Sequence, residues 1–61
     1  MIINNTHELT IQRDILTRDI NRMFVSNDTN EIFRLHAIAK LRLDAIYDYN
    51  KRRIKGEVEE N

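Results

Sequence analysis

Asp44 and Asp48 stand four residues apart, a spacing that stacks two carboxylates on one face of a helix. Two carboxylates held together out of water can share a proton and act as acid and base. Here Lys40, Lys51 and Arg52 flank them, a pattern that belongs to a solvated ion-pair face. Metal chemistry has little to draw on. His7 and His36 are the only histidines, there is no Cys, and neither His has a carboxylate or a second His four residues away. Glu8 adjoins His7 but points about 100° away on a helix of 3.6 residues per turn. The Glu-x-x-His motifs of a di-metal bundle are missing. Ser26, the sole serine, lies among turn formers, where a capping role accounts for it. A single glycine, Gly56, leaves no Gly-rich loop to cradle phosphates. No catalytic residue, cofactor or metal is expected.

One charge feature does stand out. In "NKRRIKG", Lys51, Arg52, Arg53 and Lys55 gather at the end of the last periodic segment. Cations there offset the helix dipole and meet the free carbonyls. The same four residues form a candidate docking patch for acidic protein or phosphate. As a nucleic-acid footprint they are weak, because Glu57, Glu59 and Glu60 follow and the formal net charge of the chain is zero.

The elements that must carry these residues are easily delimited. The chain has 61 residues, no Pro, and only Gly56, which leaves hairpin turns between strands without their usual residues. "SNDTN", Ser26 to Asn30, is the one interior cluster of turn formers. Before it, a helix over about 6–25 is predicted, with Asn5 as N-cap, Glu8 completing a capping box, and Leu9, Leu16, Ile20, Met23 and Phe24 as an apolar stripe. After it, a helix over about 29–55 is predicted, opened by Asp28 and Glu31 and closed by Gly56 in the left-handed conformation. "KLRLDAIYDY" alternates like a strand, but the uninterrupted length of this segment makes it helical. The fold class is therefore all-α. A single domain, 1–61, forms a two-helix antiparallel hairpin with 57–61 as a frayed tail.

Helix 2 carries more apolar surface than helix 1 can cover. Ile32, Leu35, Ala39, Leu43 and Ile46 form a stripe assigned to helix 1. A second stripe of Ile38, Ala45 and Tyr49, with Leu41 at its margin, lies about 80–100° away. Ile11 and Ile15 likewise stand off the main stripe of helix 1. A large exposed apolar patch marks an interface, and so short a chain needs a staple that cysteine cannot supply. Ile11, Ile15, Ile38, Leu41, Ala45 and Tyr49 are accordingly expected to form a self-association or partner face, pairing two hairpins into a dimeric four-helix bundle. Helix 2 is the longer, so its basic end should project unless "MIIN" folds back over it.

The segment "KLRLDAI" resembles part of the second helix of the short two-helix phosphatases that act on the aspartyl-phosphate of sporulation response regulators. Their motif is S-Q-E-L-D. Leu43 and Asp44 match its last two positions, while Lys40, Leu41 and Arg42 replace the Ser, Gln and Glu. The resemblance implies a hairpin of similar length, and no catalytic residue is carried over from it. The expected function is that of a non-enzymatic helical interaction protein, homodimeric, that modulates or inhibits a larger protein partner and is encoded by a phage or mobile element. A small DNA-binding regulator is the alternative. With neither a basic leader nor a long apolar run at "MIINNTHEL", a cytoplasmic, non-membrane location is expected.

Overall fold

The computed structural model describes residues 1–57 and shows two antiparallel helices packed along a common seam, an all-α hairpin with long dimension 42 Å. Helix α1 spans Thr6–Val25 and α2 spans Thr29–Ile54. The remainder of the expected frayed tail, residues 58–61, lies outside the described residues.

Each helix starts and stops for a local reason. Asn5 is extended, and its side chain accepts from the Glu8 N–H at 2.8 Å. The Glu8 carboxylate reaches back one residue further than a standard capping box, to the Asn4 N–H at 2.7 Å. Asp28 caps α2 by accepting from the N–H groups of Asn30 and Glu31. Glu31 does not return the bond. The Asp28 N–H goes instead to the Ser26 hydroxyl oxygen at 3.1 Å, and Glu31 turns to Arg22. At the far end Lys55 is the cap and Gly56 has φ of 76°. The Gly56 and Glu57 N–H groups bond to the carbonyls of Arg53 and Arg52, the paired pattern of a Schellman motif.

Among the described residues, four hydrophobic ones are buried: Ile3, Ala39, Ala45 and Tyr49. Ala45 and Tyr49 lie one turn apart on α2, and Ile3 packs on them with Leu9 and Ile46 around the cluster. The small Ala45 side chain leaves room for Ile3, and Tyr49 is wholly covered. Its hydroxyl lies 3.4 Å from that of Thr6. This corrects the sequence expectation for Ala45 and Tyr49. They are covered within the chain by the N-terminal segment and do not lie on a free face. Ile15 is also half-buried.

The middle of the seam is polar. Arg42 donates from Nη1 to the Gln12 side-chain oxygen at 2.7 Å and from Nε to Asp19 at 3.3 Å. Gln12 and Asp19 are seven residues apart, two turns of one face, so one guanidinium bridges both. A charge in a mostly dry seam adds little net stability. It does penalise sliding of one helix past the other, because a shifted Arg42 would lose both acceptors.

Truncating Tyr49 to Ala should cost about 3–5 kcal/mol, as for other large aromatic residues, which rivals the whole stability of a domain this size. Loss of the helical circular dichroism signal is the expected outcome. Tyr49→Phe, which removes only the hydroxyl, should stay folded.

Candidate interaction surfaces

Of the residues whose types could do chemistry, Asp48 and Ser26 are engaged within the fold. Asp48 accepts from Arg52 Nε at 2.9 Å, one turn along α2, while Asp44 is exposed. Ser26 closes the turn, its N–H bonded to the Arg22 carbonyl at 3.0 Å. His7 is exposed on α1. Among the described residues, no group of three or more His, Asp or Glu comes together to hold a metal ion.

The basic end of α2 is partly consumed by the fold. Arg52 donates to the Ile3 carbonyl at 2.7 Å as well as to Asp48, and its guanidinium lies 5.8 Å from the Tyr49 ring centre. "MIIN" does fold back, and Arg52 clasps it. Arg53 donates to the Asn50 side chain at 3.3 Å, and the Lys51 ammonium sits 5.9 Å from the Tyr47 ring centre. Lys55 is exposed. Arg52 therefore leaves the expected docking patch for a structural reason: α2 extends past α1, and the segment before α1 must be pinned to that extension.

Two faces flank the seam, and both carry apolar side chains. On one, a groove of about 250 Å³ is lined by Leu16 and Ile20 of α1 and His36, Ala39, Lys40 and Leu43 of α2. Helical spacing continues this face to Phe24, four residues after Ile20, to Ile32, four before His36, and to Tyr47, four after Leu43. Phe24 is 90% exposed, Tyr47 67% and Leu43 56%. Sequence spacing assigned Ile20, Phe24 and Leu43 to the hairpin contact. They stand outside it because the seam runs through Gln12, Asp19 and Arg42, which rotates these stripes toward solvent.

On the other face, a groove of about 380 Å³ is lined by Arg18, Asp19, Arg22, Glu31, Arg34, Leu35 and Ile38. Ile11, Ile15 and Leu41 continue it at helical spacing, with Ile11, Ile38 and Leu41 exposed. Four of the six residues expected to form an association face thus share one side of the hairpin. Its rim is basic. Arg22 pairs with Glu31 at 3.3 Å and Asp19 is engaged by Arg42, whereas Arg18 and Arg34 have no acidic partner among the described residues.

No protein-family model matches the chain, and neither a curated protein nor a solved structure matches it. Among the described residues no helix is long and apolar enough to cross a membrane.

What sequence reasoning missed here is the seam. Arg42 sits in the alternating "KLRLDAI" run and gave no sign of facing inward. Ile3 lies in a segment that precedes the first cap. Gln12 and Asp19, seven residues apart, were the available signal for a buried cation.

Glu31 has an acidity that follows from this geometry. The Ser26 hydroxyl and then Arg22 hold its carboxyl below the usual carboxylate range. A depressed acid stabilises the fold above its ordinary value, and that contribution is lost as pH falls through the lowered one. Melting temperature should therefore fall as pH drops from the ordinary carboxylate range toward the lowered value. Glu31→Gln should make that decline shallower and leave the helices intact, which a pH series of thermal melts would check.

Proposed function

We propose that the chain is a non-enzymatic interaction protein, a helical hairpin that associates through its apolar flanks and modulates a larger protein by covering part of its surface. The observation that carries this reading is the inversion of inside and outside. Thirteen large hydrophobic residues are exposed among the described residues, against four buried hydrophobic ones. A scattered few would be ordinary, but aligned stripes on both helices are the usual mark of interfaces.

Two kinds of occupant follow from the two faces. A second copy completes a four-helix bundle, the simplest way for a short chain without disulfides to cover its flanks. The arginine-rimmed face around Ile38 and Leu41 suits a foreign partner with an apolar ridge edged by acidic side chains. Arg18 and Arg34 are the cations available to it. Electrostatic matching of this kind favours the right partner and speeds encounter more than it adds affinity.

Regulation through DNA is the weaker alternative, since Arg52 is committed to Asp48 and Ile3. The test combines salt and mutation. Partner capture from the native host's extract should survive a rise in salt and be lost in an Arg34→Glu, Leu41→Asp double variant. DNA binding through several phosphates would weaken about 10³–10⁵-fold between about 50 and 200 mM salt. Binding to duplex DNA with that steep dependence, and no protein captured, would overturn the proposal.

A further inference from the structure

We infer that the face of Leu16, Ile20, Phe24, Ile32, Ala39 and Leu43 is the seat of a second copy of this chain, with Phe24 of each copy set into the Ala39 notch of the other. The inference rests on the reading of the chain as an associating hairpin and adds which face associates and how.

Size is the first argument. Ile20, Phe24, Ile32 and Leu43 together present on the order of 400 Å² of apolar surface at typical side-chain areas. A stable interface takes about 800 Å² from each partner. These four side chains supply about half of that, before any rim is counted.

Charge is the second. A two-fold interface brings each residue near its own counterpart or a fixed mate. Pairing the opposite faces would bring Arg18 and Arg34 of both copies together, with Asp19 and Glu31 already engaged by Arg42 and Arg22 within each hairpin. Like charges so placed oppose association. The Phe24 face avoids this. Its charged residues are Lys40 at the edge and Arg13, whose guanidinium turns aside to Asp14 at 3.3 Å.

Shape is the third. Ala39 is only 7% exposed and floors the groove between Leu16 and Leu43, a depression made by a missing side chain. Phe24 is the most exposed large hydrophobic residue described. Arg22 reaches Glu31 and Arg42 reaches Gln12, so position 24 is level with about position 29 or 30. Ala39 therefore lies about 13–15 Å further along the hairpin at 1.5 Å per residue. A two-fold axis across the face midway between them, beside Ile20 and His36, exchanges knob and notch between copies. Each Phe24 then fills the other copy's groove.

Sedimentation equilibrium and isotope-filtered nuclear Overhauser spectra of a mixed-label sample test this directly. The wild type should be dimeric, with intermolecular cross-peaks from the Phe24 ring to the Ala39 and Leu43 methyl groups. Phe24→Asp should raise the dimer dissociation constant about 100-fold or more, since it places a charge in a dry interface. Because Phe24 contributes almost nothing to packing within one chain, any loss of stability in that variant reports lost association and not a lost contact within the hairpin. Ile38→Asp should remain dimeric. Cross-peaks between Ile38 and Leu41 of different copies, with Phe24→Asp still dimeric, would overturn the assignment of the face while leaving the interaction reading standing. A wild type monomeric at every concentration would overturn the second copy altogether, and partner capture would then decide the broader reading independently.

Discussion

A two-helix hairpin can hide only one stripe of each helix, and that limit governs everything else in this molecule. Each helix has one neighbour. Apolar residues more than about a quarter-turn from the seam must stay wet or find a cover outside the chain. Here the seam itself is occupied in the middle by Arg42, Gln12 and Asp19, so even the hidden stripe is not fully apolar. The consequence is a molecule whose hydrophobic surface lies mainly on two flanks.

The buried part is correspondingly concentrated at one end. Ile3 on Ala45 and Tyr49 forms a small closed cluster, and Arg52 fastens the segment that supplies Ile3. At the other end the turn is ordered by hydrogen bonds, with Ser26, Asp28, Glu31 and Arg22 meeting in a polar corner. Between these anchors the Arg42 bridge sets the register. Three local devices thus hold two helices in one alignment where apolar burial alone would leave sliding inexpensive. Fixed alignment gives the flanking faces a definite shape.

The sequence made the helices legible because their ends are chemical events. Asn5, Asp28 and Gly56 cap and terminate where local rules say they should, and the absence of Pro removes interior breaks. It did not reveal which stripes meet. On α2, apolar residues occupy most of the wheel, so spacing alone allows several rotations, and an apolar seam was the natural choice. The actual rotation is selected by polar groups: Arg42 needs two acceptors and finds them two turns apart on α1. Of the residues expected on an association face, Ile11, Ile38 and Leu41 are exposed. Ala45 and Tyr49 are buried, because their cover comes from a residue 42 or more positions away whose segment has no periodicity to announce it.

We propose that the Phe24 flank is covered by a second copy and that this cover adds to the stability of the fold. Folding coupled to dimerisation makes stability depend on protein concentration by mass action. The most direct measurement is thermal unfolding of the wild type, followed by far-ultraviolet circular dichroism, from about 1 µM to about 100 µM. The account predicts a single helical transition whose midpoint climbs steadily across that range. A midpoint that does not move would contradict it.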